Sequence, residues 1–196
     1  MLETQIIEYS KEINEDVFVF EEKREFVFLC VLNIREGKVI NKNHIKISME
    51  KSQEDDLFER LITSYYEKRS IPRNIICDMR YEAKSELIKE WSKIEKGKEI
   101  KMHFPKIHSR RYELLEMGYL NLKEEVEKYL RQKKVVQEGL RNLKKTLRLN
   151  SHPYRIECFD ISNIQGKDAV AAMTVAIDGE VTPKEYRHFK ITVKDT

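Results

Sequence analysis

The pattern of apolar and polar residues over the first quarter of the chain predicts three β-strands. Asp16–Glu22 alternates weakly and is rich in β-branched and aromatic residues, which favour strands. Phe26–Ile34 is a nearly continuous apolar run of strand length, and Val39–Ile47 is a strand with polar interruptions. Arg35-Glu36-Gly37-Lys38 separates these two runs as a turn. We therefore expect three antiparallel strands.

The apolar spacing then changes to that of a helix. Ser52–Asp55 supplies a capping serine and acids, the apolar positions that follow recur at helical spacing to Tyr65, and Ile71-Pro72-Arg73 ends the helix. The elements predicted after it are a strand at Asn74–Asp78, a helix at Ser85–Lys96 ended by Gly97, and a strand at Lys98–Phe104.

One long helix is predicted from about Ser109 to Leu149, with an apolar stripe along it and Gly118 and Gly139 as interruptions. The order β-β-β-α-β-α-β-α is that of the ribonuclease H-like fold. The fold class is therefore α/β and ribonuclease H-like. We divide the chain into a degenerate ribonuclease H-like domain at 1–108, a connector helix at 109–150, and the first strands of a second such domain at 151–196.

A second series of strands follows the long helix. Arg155–Ile161, Asp168–Ile177 and Glu185–Val193 are the predicted strands, and Asp178-Gly179-Glu180 is a tight turn. The series resembles the first three strands, since one closes on His44-Ile45-Lys46-Ile47 and the other on His188-Phe189-Lys190-Ile191. This repetition favours two copies of one fold, although any two β-meanders share some of it.

The candidate chemistry lies in the second copy. Asp160 stands between Phe159 and Ile161 in the centre of an apolar strand, where the first copy has Val19 or Phe20. A carboxylate in a buried strand is costly unless a cation or another partner compensates it. We therefore consider Asp160 a candidate metal ligand, with an ordinary solvent-facing acid of an edge strand as the alternative. Asp78 follows a short strand and is interpreted as a loop cap.

Composition bears on three questions: a nucleic-acid partner, a membrane or secreted location, and the state of the cysteines. Lys and Arg number 37 against 34 Asp and Glu, so the net charge of +3 does not by itself indicate a nucleic-acid partner. Neither a membrane span nor a secretion signal is predicted, so we expect a cytoplasmic protein. Cys30, Cys77 and Cys158 are widely spaced in apolar runs and are interpreted as buried reduced thiols.

Basic residues concentrate in the second half of the long helix. Between Lys128 and Arg148 there are eight Lys and Arg residues and one acid, Glu138. A basic helix face of this kind follows the phosphates of DNA. We therefore consider Lys144 and Lys145 candidate DNA contacts, with a solvated connector as the alternative.

The segment Ile156–Ser162, with the loop Asn163–Gly166, resembles the opening of the UvrC endonuclease domain. The likeness continues through Ala169–Met173, Asp178-Gly179 and Glu185–Ile191. Residues 16–150 are also similar to the region of this family that lies between its UvrB-binding segment and its nuclease. The resemblance therefore covers essentially the whole chain.

The resemblance implies a part of the UvrC subunit of the UvrABC excision nuclease, a DNA-repair enzyme that joins UvrB on damaged double-stranded DNA. Its C-terminal domain makes the 5′ incision through a metal-dependent cluster of aspartates and a histidine, with Mg²⁺ or Mn²⁺ as cofactor. Asp160 corresponds to the first aspartate of that cluster. The loop residues Ser162, Asn163 and Gln165 are candidate DNA contacts by the same resemblance. Arg187 matches a later motif near the DNA-facing sheet, with a structural role in its strand as an equal alternative.

The remaining catalytic residues of the family are expected beyond Thr196, and we assign no catalytic role to the five histidines present. The chain alone is therefore predicted to be inactive. Its last strands are expected to expose apolar surface and open edges, which favour self-association. Two other functions remain open: a non-catalytic module that positions DNA or UvrB, and a helical partner-binding protein built on the stripe of 109–149.

Overall fold

The computed structural model describes residues 13–23, 26–48, 56–164 and 167–191, without the side chains of residues 163–169. The chain divides into two compact units, residues 1–127 and residues 128–196. No helix within the described ranges is both long enough and apolar enough to cross a membrane.

The first unit is built on a five-stranded mixed sheet in the order β3-β2-β1-β4-β5. The antiparallel pairs are β1 with β2 and β2 with β3, whereas β4 is parallel to both β1 and β5. The strands are β1 (Glu15–Lys23), β2 (Phe26–Arg35), β3 (Lys38–Ser48), β4 (Asn74–Cys77) and β5 (Lys101–His103).

Two helices and the sheet enclose the main apolar core. These are α1 (Leu57–Tyr66) and α2 (Ser85–Lys96), and a 3₁₀ helix at Met79–Lys84 precedes α2. Gly97 ends α2 in the left-handed conformation, which glycine adopts without steric cost. The core is dominated by aromatic and branched side chains, among them Phe18, Phe20, Val31, Ile62, Tyr66, Ile75 and Ile88.

A third helix, α3 (Arg110–Thr146), is continuous over 37 residues. Within the first unit it packs closely on β1, because Gly118 lies against Val19. Leu114 and Leu122 of this part of α3 are almost fully buried. The first half of α3 therefore covers the sheet face opposite α1 and α2.

One carboxylate is fully buried in the first unit. Asp16 is 0% exposed, and it accepts hydrogen bonds from Arg35 Nη1 and Tyr66 Oη, both at 2.7 Å. Both of its carboxylate oxygens therefore have a partner, as a buried charge requires. Nearby, Glu15 receives Arg111 Nη2 at 2.6 Å.

The second unit contains a four-stranded sheet in which β7 is central. It pairs antiparallel with β6, β8 and β9. The strands are β6 (Arg155–Ile164), β7 (Lys167–Ile177), β8 (Glu180–Val181) and β9 (Arg187–Lys190).

The turn between β7 and β8 packs on the second half of α3. Gln137 Nε2 donates to Asp178 Oδ1 at 2.8 Å, and Gly179 has a φ of +78°. A β-carbon at Gly179 would overlap Cγ1 of Val136. Only glycine therefore fits this turn against the helix.

The predicted fold class is confirmed, since the element order of the first unit is the predicted β-β-β-α-β-α-β-α. Four details differ. The 3₁₀ helix at Met79–Lys84 and the two-residue β8 were not predicted, and the last strand begins at Arg187 because a 3₁₀ turn occupies Pro183–Glu185. Ser162 and Asn163, expected in a loop, belong to β6, which continues to Ile164. The predicted cap at Ser52–Asp55 and the last two residues of the predicted strand 185–193 lie outside the described residues.

Candidate active site

Asp160 lies in the middle of β6 and begins a row of side chains that crosses the second sheet. It pairs with Ala172 of β7, which in turn pairs with His188 of β9. Directly paired residues of antiparallel strands project from the same face. Asp160, Ala172 and His188 therefore share one face of the sheet, and we call it the Asp160 face.

The other members of the Asp160 face follow from the period of two along each strand. Among the described side chains, Asp160 is the one acidic residue on it. The side chains that flank it are Cys158, Ser162, Val170, Thr174 and Lys190, which apart from Val170 are small, polar or basic.

The expectation that Asp160 is buried was wrong. Its side chain is exposed, as are those of Cys158, Ser162 and His188. The reason is that no described residue covers this part of the second sheet, whereas α3 covers the corresponding face of the first. The cost of burying a carboxylate is therefore not an argument for a metal at Asp160 in this chain.

Arg187 does not share a face with Asp160. It pairs with Met173, which pairs with Phe159, so these three side chains project from the opposite face. Its Nη1 donates to the carbonyl oxygens of Tyr186 at 2.8 Å and Lys184 at 3.1 Å. The geometry thus gives Arg187 a local structural role and leaves His188 beside Asp160.

The predicted loop contacts are resolved only in part. Ser162 is exposed on the Asp160 face and pairs directly with Val170 of β7. Asn163 belongs to β6, but its side chain lies outside the described set, and Gln165 falls within the residues that are not described.

The two lysines chosen from the basic helix differ in accessibility. Lys145 is exposed, whereas Lys144 is half-buried. Residues seven and four positions apart share a helix face, so Lys134, Arg141 and Lys145 form one exposed basic row on α3. Leu140, which is 5% exposed, lies on the other side of the helix. We call these three residues the α3 basic row.

The first sheet contains a row that matches the Asp160 row. Val19 pairs with Cys30, which pairs with His44. Val19 lies four residues before Lys23, the last paired residue of β1, and Asp160 lies four residues before Ile164, the last paired residue of β6. The predicted likeness of the two strand series therefore extends to register, with Val19 at the position of Asp160.

Asp78 is confirmed as a loop cap. Its Oδ1 accepts from Arg80 N at 2.9 Å, and its Oδ2 accepts from Tyr119 Oη at 2.6 Å. Burial alone would raise the pKa of Asp78, but the hydrogen bonds from Tyr119 and Arg80 outweigh burial and lower it. Since β1 and β4 pair through Phe18 and Cys77, Asp78 follows beside Val19, which offers no second carboxylate.

The cysteine prediction is only partly correct. Cys30 and Cys77 are buried and free, as expected, and burial raises the pKa of Cys30 to about 12. Cys158 is free but exposed, because it lies two residues from Asp160 on the uncovered face.

The described residues contain no group of three or more His, Cys, Asp or Glu side chains able to hold a metal ion. Asp160 by itself offers a single carboxylate, whereas Mg²⁺ and Mn²⁺ are bound by several oxygen ligands. The residues present therefore do not fit a complete divalent-cation site.

Comparison with known families identifies both halves of the chain. The UvrC Ribonuclease H-like domain matches residues 14–129, and the UvrC RNAse H endonuclease domain matches residues 144–196. This chain belongs to the UvrC family. The second match includes all of β6 to β9, so the Asp160 face lies within the part related to the UvrC endonuclease domain.

Individual relatives are similar over nearly the whole chain. A UvrABC system protein C from Fusobacterium nucleatum is 45% identical over 98% of the chain. Proteins of the same name from Prochlorococcus marinus and Methanothermobacter thermautotrophicus are 31% and 30% identical over 91% and 99% of it. The chain spans about a third of the length of these UvrC relatives, with 33%, 27% and 32% covered.

His188 is the residue near Asp160 that sequence reasoning missed. The signal was present in the repetition of His44-Ile45-Lys46-Ile47 and His188-Phe189-Lys190-Ile191, which fixes the third strand of each copy. What the sequence lacked was the pairing of β7 with both neighbours, which decides whether Arg187 or His188 projects beside Asp160.

Proposed function

We propose that this chain is part of a UvrC subunit of the UvrABC nucleotide excision repair nuclease, which joins UvrB on damaged double-stranded DNA and incises it. The observation that supports this most is the match of residues 144–196 to the UvrC RNAse H endonuclease domain. Residues 144–196 belong to the domain that makes the 5′ incision by hydrolysing a phosphodiester bond. Its place of action is the cytoplasm.

In this proposal Asp160 is the catalytic and metal-binding carboxylate of the chain. Asp160 would hold Mg²⁺ or Mn²⁺ together with ligands from the rest of a nuclease domain, and the cation would supply the activation of water that phosphodiester hydrolysis requires. Asp160 stands on a strand of regular register, paired with Ala172, so the backbone fixes its position. Since Asp160 is the one carboxylate among the described side chains of this face, the chain alone is expected not to incise DNA.

The test compares Asp160→Asn with Glu157→Gln in full-length UvrC containing this chain. Glu157 is a matched control because it lies on the same strand but projects from the opposite face, where Arg155 Nε donates to it at 2.7 Å. We expect Asp160→Asn to abolish 5′ incision of a damaged duplex and Glu157→Gln to retain it. Unchanged 5′ incision by Asp160→Asn would overturn the proposal.

The isolated chain is tested separately, by nicking of a plasmid or damaged duplex in the presence of Mn²⁺. We expect no cleavage. Robust cleavage that disappears in Asp160→Ala would contradict the expectation that the chain is incomplete as a nuclease.

A second candidate function is a non-catalytic module that positions DNA or UvrB, and the α3 basic row favours it. Lys134, Arg141 and Lys145 are exposed along one line of a continuous helix. Lysine and arginine rows of this kind bind phosphates without reading base sequence. This function is compatible with the first, since binding by α3 and chemistry at Asp160 use different residues.

The basic row is tested by DNA binding of the whole chain at several salt concentrations. Lys145→Ala is expected to weaken binding and to reduce the slope of log affinity against log salt by about one. Lys144→Ala is the neighbouring control, and we expect a smaller effect because Lys144 is half-buried. Equal slopes for the wild type and Lys145→Ala would exclude a phosphate contact there.

A further inference from the structure

The Asp160 row has an open position for a ligand between its two polar ends. Asp160 and His188 are separated by the whole width of β7, so their Cα atoms are about 10 Å apart. The side chain between them is Ala172, whose methyl group leaves the space above the strand unfilled. A group of several atoms can therefore lie over Ala172 and contact His188.

The chemistry of the face determines which group fits. On the His188 side the face carries hydrogen-bond donors, His188 and Lys190, and on the other side it carries the carboxylate of Asp160. An anion with non-bridging oxygens accepts from an imidazole N–H. A DNA phosphodiester can accept from His188 and Lys190 at one side of the Asp160 face, the face that the proposed function assigns to incision, while the carboxylate of Asp160 lies across the strand from it.

The first unit provides an independent observation on accessibility. There the matching row is Val19, Cys30 and His44, and α3 covers it so closely that Val19 and Cys30 are 0% exposed. His44 nevertheless remains exposed. The third-strand position thus stays open to solvent even when a helix covers the first two strands, and His188 occupies that same position in the second unit.

We propose that His188 binds a phosphodiester of the DNA strand at the Asp160 face, donating a ring N–H to a non-bridging oxygen. This inference rests on the proposed function. It makes His188 a substrate-binding residue next to Asp160. Arg187, the neighbouring cation, is excluded from this role because it projects from the opposite face.

The test uses four variants of full-length UvrC on a damaged duplex in complex with UvrB. His188→Ala removes the donor, His188→Gln keeps an N–H donor on a side chain of similar reach, and His44→Ala is the matched control in the first unit. We expect His188→Ala to raise the KM for 5′ incision about 10-fold, which corresponds to one hydrogen bond to a charged group. His188→Gln is expected to stay close to the wild type, and His44→Ala to equal it.

The outcomes separate the inference from the function on which it rests. Wild-type KM in His188→Ala overturns the inference, as does an equally large rise in a folded His188→Gln. If His188→Ala does not fold, an additional fifth variant, His188→Leu, is compared with His188→Gln, whose side chain is of similar size, and equal KM values of these two overturn the inference. Asp160→Asn is the fourth variant: if it retains 5′ incision, the proposed function itself fails, whatever His188 does.

Discussion

Gly118 of α3 lies directly against Val19 of β1. A β-carbon at position 118 would stand 3.1 Å from both methyl carbons of Val19. Val19 is 0% exposed and cannot move away without disturbing the core. We therefore expect Gly118→Ala to lower the free energy of unfolding by about 1 kcal/mol, with overpacking outweighing the gain in helix propensity. Urea unfolding followed by circular dichroism measures it.

Gly139 is the matched control for this prediction. It belongs to the same helix, and a β-carbon there would meet nothing within 4 Å. Gly139→Ala should therefore raise the free energy of unfolding by roughly 0.5–1 kcal/mol. In a variant that already carries Val19→Ala, Gly118→Ala should no longer lower the free energy of unfolding. A loss that persists in that variant would show that the contact with Val19 is not its cause.

The hydroxyl of Tyr66 stabilises the buried carboxylate of Asp16. Tyr66→Phe removes the 2.7 Å hydrogen bond to Asp16 Oδ2 and leaves that oxygen without a donor in the core. We expect a loss of about 1–3 kcal/mol in the free energy of unfolding.

Tyr65→Phe is the neighbouring control for Tyr66→Phe. The Tyr65 hydroxyl donates to Asn33 Oδ1, which also accepts from Asn43 Nδ2, so the acceptor keeps a partner in the variant. We therefore expect Tyr65→Phe to lower the free energy of unfolding by less than Tyr66→Phe does. Equal losses for the two variants would show that satisfying Asp16 is not what the Tyr66 hydroxyl contributes.

Because the thiols of Cys30 and Cys77 are buried, we predict that the free energy of unfolding falls at alkaline pH. Burial raises the pKa of Cys30 to about 12 and that of Cys77 further, whereas unfolded thiols ionise near pH 8.5. Above about pH 8.5 the unfolded state therefore binds fewer protons than the folded state, and the free energy of unfolding falls as pH rises. The full contribution is present below this pH.

The measurement is urea unfolding between pH 8 and pH 9, where unfolded tyrosines, with a pKa near 10, are still mostly protonated. Each buried thiol contributes a slope approaching about 1.4 kcal/mol per pH unit once the unfolded thiol is ionised. Cys30→Ala removes one of these thiols and should therefore reduce the slope of the free energy of unfolding against pH. It should also lower stability at every pH, because it leaves a small cavity. Cys158→Ala is the control at an exposed thiol and should keep the wild-type slope. An unchanged slope in Cys30→Ala would show that the buried thiol of Cys30 does not cause the loss of stability.

The face of the second sheet opposite Asp160 exposes large apolar side chains. Phe159, Ile161 and Phe189 are 56%, 64% and 43% exposed, and they share that face. Exposed apolar groups that lie together favour association. We expect the isolated chain to self-associate with increasing concentration, and Ile161→Glu to reduce this in sedimentation velocity. Ile94→Glu, at an equally exposed residue of α2, should not, and a monodisperse wild type would contradict the prediction.

Much of the first unit could be predicted because its signals are local. The period changes from strand to helix near Leu57, and Gly97 supplies the stop that ends α2, so order and most boundaries follow from spacing. The 3₁₀ helix at Met79–Lys84 has no such period, since it depends on the Asp78 side chain capping Arg80.

The candidate site was less predictable because faces and exposure depend on partners. The alternation along β9 shows that Arg187 and His188 project oppositely, but only their pairing through β7 shows which one accompanies Asp160. Exposure of Asp160 depends on what covers the sheet. An apolar neighbourhood in the sequence, Phe159 and Ile161, does not reveal this, because those residues project from the other face.

Helix α3 belongs to both compact units, since residues 110–127 lie in one and residues 128–146 in the other. Extending an existing helix requires no new nucleation. When one unit opens, its half of α3 frays from the free end, and the half anchored in the other unit remains as a nucleus from which the lost turns regrow. Amide protons near Glu127 should therefore exchange more slowly than those at either end of the helix.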